Sequence, residues 1–231
     1  MTPRLRFLLN DQEISLGEVG AADTLLDFLR ISRRLTGTKE GCAEGDCGAC
    51  TVLLGRLTGS GLIYEPINAC IRFLASCHGC HIVTVEHLRG PKGGLHPIQK
   101  AMVAHHGSQC GFCTPGIVMA LYGLWMSNPE AGVAQIEEAL QGNLCRCTGY
   151  EPIVKAALAA GREGGQARDA LTLERETVAG RLQGMWGRRV ELSRDGQRAI
   201  IPADTDDLAS VLAENPEATL VAGATDVGLW V

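Results

Sequence analysis

The sequence predicts an α+β fold in three parts, and three observations predict it. Up to about residue 89, short apolar runs are broken by polar turns, as in strands. From about Gly90 to Gly161 the apolar residues recur at helical spacing behind prolines. Between the first helix-like segment and the strand after it lies a glycine-rich loop, Gly41 to Cys50, that carries three cysteines.

The elements follow in order. Arg4 to Leu9 and Glu13 to Leu16 flank Asn10-Asp11-Gln12, which reads as a hairpin. Thr24 can cap a short helix bearing Leu25, Leu26, Phe28 and Leu29. Thr51 to Leu54 and Leu62 to Ile67 read as strands across a Gly59-Ser60-Gly61 turn, and Ile82 to Val85 as one more. Pro97 opens a helix that closes near Gly107. Thr114 is an N-cap candidate with Pro115 at the first helical position, and that helix stops by Asn128-Pro129. Val133 to Leu140 forms a third helix, and Pro152 opens a fourth. Residues 162–184 are rich in glycine and charge and read as a linker. Beyond them come strand-like Arg189 to Leu192 and Ala199 to Ile201, a helix at Asp206 to Ala213, and a strand at Leu220 to Ala222.

Composition narrows the function. With 231 residues and 45% apolar content, the chain can bury a real core. A net charge of −5 argues against nucleic acid as a main partner. The N-terminus has no apolar signal core, and no apolar run is long enough to span a membrane, so a cytoplasmic location is expected. Ten cysteines in such a setting point to metal rather than disulfides.

The cysteines fall into two sets. Cys42, Cys47 and Cys50 are spaced C-x4-C-x2-C, with Cys70 after a longer gap, which is the plant-type 2Fe–2S spacing. Gly41, Gly45 and Gly48 let the backbone curl so that its N–H groups reach sulfur. Cys110 and Cys113 (C-x2-C) and Cys145 and Cys147 (C-x-C) each precede a helix start, where the helix dipole favours an anionic cluster. By spacing alone, zinc and a 2Fe–2S cluster both suit this second set. Cys77 and Cys80 read as spare, partly buried thiols. His105 and His106 end a helix, and His78, His81, His87 and His96 show no ligand-like spacing.

Four segments together resemble a known family: Gly41 to Cys50, Asn68-Ala69-Cys70, Gln109 to Gly116, and Gly142 to Tyr150. They are similar to the iron–sulfur part of the molybdenum hydroxylases, which include xanthine dehydrogenase, aldehyde oxidase and carbon monoxide dehydrogenase. The resemblance implies iron–sulfur at both sets. It also implies a plant-type ferredoxin-like (β-grasp) domain over 1–89, a four-helix 2Fe–2S domain over 90–161, and the start of an α+β FAD-binding domain over 185–231. The run Leu220, Val221, Ala222, Gly223, Ala224, Thr225, Asp226 and Val227 resembles the family's flavin pyrophosphate loop, although Ala224 and Asp226 replace an Asn and a Glu frequent there.

By this resemblance the chain is similar to the small iron–sulfur/FAD subunit of a bacterial xanthine dehydrogenase. The resemblance implies that hypoxanthine or xanthine is oxidised to urate at a molybdenum–pterin cofactor in a large partner subunit. Electrons then pass through two 2Fe–2S clusters to FAD and NAD, and no substrate-handling acid, base or nucleophile is expected here. The resemblance also implies that Gln109 contacts the pterin. The remaining FAD domain is expected on another segment, in an assembly of small and large subunits. The alternatives are the small subunit of an aldehyde or heterocycle hydroxylase, and a stand-alone two-cluster ferredoxin carrier.

Overall fold

The first hairpin pairs β1 (Leu5–Leu9) with β2 (Gln12–Leu16) in antiparallel register, from Leu5↔Leu16 to Leu9↔Gln12. In the computed structural model, residues 4–88 and 93–230 are described. β3 (Thr51–Thr58) and β4 (Gly61–Asn68) form a longer hairpin around Gly59-Ser60, with Gly61 at φ 105° where a side chain is disfavoured. The short β5 (His81–Val83) joins the hairpins, parallel to β1 and antiparallel to β3, giving the order β2-β1-β5-β3-β4. The last strand expectation is therefore shifted: His81 is inside, while Val85 lies in a 3-10 turn.

Strand alternation assigns the two faces of this sheet. Leu5, Phe7 and Leu9 face one core together with Val52 and Leu54. That core is closed by α1 (Leu25–Asp27) and the π-helical turn Phe28–Ser32. Thr24 caps α1, its hydroxyl accepting from Asp27 N–H at 3.1 Å. Leu53 and Val83 face the other way, against the helical unit. Burial on both faces is why Val52-Leu53-Leu54 is a continuous apolar run.

The helical unit comprises α2 (Pro97–Ala104), α3 (Thr114–Ser127), α4 (Val133–Ala139) and α5 (Glu151–Glu163). α3 is apolar nearly all round because it packs against β3 as well as against its neighbouring helices. Trp125 Nε1 donates to Ala160 O at 3.1 Å, tying α3 to α5. Thr114 is not the cap expected: Cys113 holds that position, and the Thr114 hydroxyl pairs with Ser108 Oγ at 2.7 Å.

The expected linker, 162–184, is corrected by the structure. α5 runs on to Glu163, and α6 (Ala170–Leu173) and α7 (Arg175–Gln183) follow. Leu171 joins the helical core, while Val178, Leu182 and Met185 pack on Leu8 and Leu62 of the sheet. Asp169 locks this segment down. It accepts from Tyr122 OH at 2.6 Å, from Leu171 N–H at 3.0 Å, and from His96 Nε2 at 3.2 Å. His96 Nδ1 accepts from Ile98 N–H at 3.2 Å, capping α2, so Nε2 is the protonated nitrogen.

The third segment holds β6 (Val190–Arg194), β7 (Gln197–Ile201) and α8 (Thr205–Glu214). Val190 and Leu192 complete the first core beside the β1 side chains. The strand expected at Leu220 to Ala222 does not form: β6 and β7 make a two-stranded sheet, and Leu220 and Val221 are exposed. An extended segment with no strand beside it leaves its backbone to water.

Burial pushes the Asp169 carboxyl up, but the hydrogen bonds from His96, Tyr122 and Leu171 outweigh it and hold it below the ordinary carboxylate range. A depressed folded-state pKa gives stability that is present above the unfolded value and lost as pH falls through the folded one. We expect Asp169→Ala to lower stability near neutral pH by about 3–6 kcal/mol, from three orphaned buried donors at about 1–2 kcal/mol each. Urea midpoints against pH measure this, and the gap from wild type should shrink in acid.

Candidate metal centres

The first cysteine loop joins the π-helical turn to β3, and Cys70 follows β4. Three left-handed residues curl it: Ala43 (φ 60°), Gly45 (φ 88°) and Gly48 (φ 66°). A side chain at Gly41 would put Cβ 2.8 Å from Cys47 Sγ. The curl aims the N–H groups of Cys47 and Glu44 at Cys42 Sγ, at 3.4 and 3.5 Å. Burial raises the Cys42 thiol, yet those N–H groups outweigh it and hold it at about 7. Cys50 and Cys70 are buried with their sulfurs 3.4 Å apart. Their shared hydrogen bond pushes Cys70 up and Cys50 down. The thiols pair as Cys42 with Cys47 and Cys50 with Cys70, with backbone donors on the Cys42 sulfur, and this donor set fits an anionic sulfur-bridged iron cluster.

The second set assembles at two helix N-termini. Cys113 caps α3, and Cys145 and Cys147 lie just before α5, which packs beside α3. Cys113 and Cys145 share a side-chain hydrogen bond, as do Cys110 and Cys147. Burial, then the contact with Cys145, pushes Cys113 up to about 12. Burial also raises Cys145, but hydrogen bonds from Thr148 outweigh it and bring it below the ordinary thiol value. Tyr150, at φ 67°, turns its hydroxyl back onto Cys145 N–H at 2.8 Å and Asn143 O at 3.2 Å, closing the loop. Cys110 and Cys147 are exposed, beside exposed Gln109, Phe112 and Leu144.

The two loops touch. Gly48 O accepts from Asn143 Nδ2 at 2.9 Å and from Thr51 Oγ1 at 2.7 Å. Leu144 N–H donates to Cys47 O at 2.9 Å. A Cβ on Gly116 would lie 2.1 Å from Gly48 O, and one on Gly48 would lie 2.1 Å from Gly142 O. Sequence reasoning assigned Asn143 and Gly116 no role. Their signal was there, a buried-type amide and a glycine inside a helix, both close in sequence to cysteines.

The other candidates lie apart from these loops. Cys77 and Cys80 are buried in the first core rather than partly exposed, and burial pushes Cys77 up to about 12. His78 bridges Arg6 N–H (3.1 Å) and Met185 O (2.9 Å), and His81 bridges Tyr64 OH (2.8 Å) and Asn10 O (3.0 Å). His105 and His106 end α2, His106 at φ 57°. In the tail loop Ala224 is buried at φ 63° and its carbonyl accepts from Gly228 N–H at 2.9 Å. Among the described residues no helix is long and apolar enough to cross a membrane.

Residues 84–158 match the family model of a [2Fe-2S] binding domain, which covers the second cysteine set. Together with the sheet and its cysteine loop, this defines the class: an iron–sulfur electron-transfer protein. The chain is 45% identical to aldehyde oxidase 1 of Rattus norvegicus over 156 residues, and 50% identical to xanthine dehydrogenase of Emericella nidulans over 155. Those alignments cover 67% and 66% of this chain, but 12% and 11% of the relatives, so the chain spans about an eighth or less of their length. In the crystal structure of quinoline 2-oxidoreductase from Pseudomonas putida 86, one chain matches with 33% identity and a TM-score of 0.61. The match covers 71% of this chain and 96% of that one. The chain belongs to the molybdenum hydroxylase family, as its iron–sulfur electron-transfer region.

The contact between the loops yields a test. Gly48→Ala forces a left-handed alanine, at roughly 1–2 kcal/mol, and a clash with backbone. Gly142→Ala meets nothing within 4 Å among the described residues. We expect Gly48→Ala to destabilise the protein by more than about 2 kcal/mol, and Gly142→Ala by far less, in chemical denaturation.

Proposed function

We propose that this chain is the electron-transfer subunit of a molybdenum hydroxylase of the xanthine dehydrogenase type. Cys42, Cys47, Cys50 and Cys70 would hold one 2Fe–2S cluster, and Cys110, Cys113, Cys145 and Cys147 the other. When bound, the clusters supply one-electron carriage between a molybdenum–pterin cofactor on a large partner subunit and FAD, with NAD as acceptor. The observation that carries this reading is the hydrogen bond from Leu144 N–H to Cys47 O. It joins a residue of one cysteine set to the immediate neighbour of Cys145 in the other, across close-packed backbone.

The chain's own residues set the conditions for transfer. N–H groups at Cys42 offset negative charge on sulfur, and burial of Cys50 and Cys70 keeps water away. The glycine contacts and Asn143 fix the spacing of the two loops. At the exposed face of the second set, Gln109 can donate and accept at once, which suits a pterin edge of mixed polarity. Leu220 to Val227 supplies part of a flavin site. The exposed Leu220, Leu229 and Trp230 support a site completed by further polypeptide. A second reading, the small subunit of an aromatic-heterocycle hydroxylase, is favoured by the near-complete coverage of the quinoline 2-oxidoreductase chain. The substrates turned over by the co-purified large subunit separate the two readings.

Iron analysis should give about four irons per chain, two for each cluster. Cys47→Ser should remove one reduced-cluster EPR signal and leave the other. Loss of both in a folded protein would show that the sets are not independent. The 231-residue chain alone should not retain stoichiometric FAD. In the assembled enzyme, Gln109→Ala should cost on the order of 1 kcal/mol in cofactor retention, or slow cluster reduction by substrate. FAD reduction by NADH should stay unchanged. A defect confined to NADH–flavin transfer would reverse the proposed order.

A further inference from the structure

Away from both cysteine loops, three distant segments meet: the β1–β2 turn, the 3-10 turn after β5, and the start of α7. Asp11, His87 and Glu174 each present one ligand-type atom there, and those atoms all lie within 4.8 Å of one another. His87 is the informative member. Its side chain is 8% exposed, and neither ring nitrogen has a hydrogen-bond partner. A buried imidazole without partners is unfavourable and calls for an explanation.

Geometry supplies one. His87 Nδ1 stands 3.6 Å from Asp11 Oδ2, beyond hydrogen-bonding distance. It is close to the separation of about 3.4 Å between two ligands on a tetrahedral ion with bonds of about 2.1 Å. One imidazole nitrogen with two carboxylate oxygens is a donor set for a divalent cation of borderline hardness. Two carboxylates balance its charge. Asp11 is 57% exposed, which leaves a route in and room for a water ligand.

We infer that Asp11, His87 and Glu174 form a binding site for a divalent cation of the zinc class, separate from the eight cluster cysteines. Glu174 is the N-cap residue of α7, so an ion there pins that helix to the edge of the sheet it covers.

The test uses the full chain loaded with iron–sulfur, so that the cluster cysteines are occupied, and titrates it with zinc chloride by calorimetry. Iron content and the visible spectrum, followed in parallel, report on the clusters independently. One equivalent should bind, and zinc should raise the thermal midpoint. His87→Asn and Glu174→Gln should each weaken binding by about tenfold or more and abolish the thermal shift. Glu174→Gln keeps the buried ring and the size of the capping side chain, so it guards against a folding failure at His87. If wild type binds zinc no more tightly than Glu174→Gln, or shows no thermal shift, the site is refuted and His87 answers to Asp11 alone.

Discussion

One carbonyl, Gly48 O, holds the two halves of this protein in register. It accepts from Thr51 at the start of β3 and from Asn143 beside the helical unit, and Gly116 of α3 lies directly against it. A side chain at Gly48 would clash with Gly142 O and the Asn143 amide, and one at Gly116 with Gly48 O. The sheet, the helical unit and both cysteine loops are thus positioned by close backbone approach. Apolar packing of Leu53 and Val83 against α3 supplies the bulk attraction. The glycines and the amide set where that attraction comes to rest.

This division explains how the chain keeps two cysteine loops close without merging them. Each loop draws its shape from its own local signals: left-handed residues around Cys42, and helix N-termini around Cys113 and Cys147. Neither loop lends a sulfur to the other set. A peptide hydrogen bond from Leu144 N–H to Cys47 O links the two cysteine-bearing backbones directly. The residues beside it fix it in place, Gly48 lying against Gly116 and Gly142, and Asn143 being buried.

Much of this was legible in the sequence because the signals are local. Pro97, Pro115 and Pro152 each open a helix where expected, and Gly59-Ser60 turns the second hairpin. The cysteine spacings named both loops. What sequence reading missed is long-range. Residues 162–184 looked like a linker because glycine and charge dominate, yet Val178 and Leu182 find partners more than a hundred residues away in Leu8 and Leu62, and Leu171 joins the helical core. His78 and His81 showed no pattern because each answers to a distant backbone carbonyl, His78 to Met185 and His81 to Asn10. A strand at Leu220 could not be judged from its own residues, since a strand exists only by virtue of a neighbour.

The helical strap over 162–184 bears on how such a protein can be cut and rejoined. Its residues close the sheet face at Leu8 and Leu62, and Asp169 plugs into the α2 and α3 pairing. A gene boundary drawn after α5 would release a two-unit fragment with an uncovered apolar face. A cut after Trp186, where the chain leaves the His78 clasp, would in turn strip Val190 and Leu192 from the first core, so the covalent order of segments and the packing order do not share a boundary.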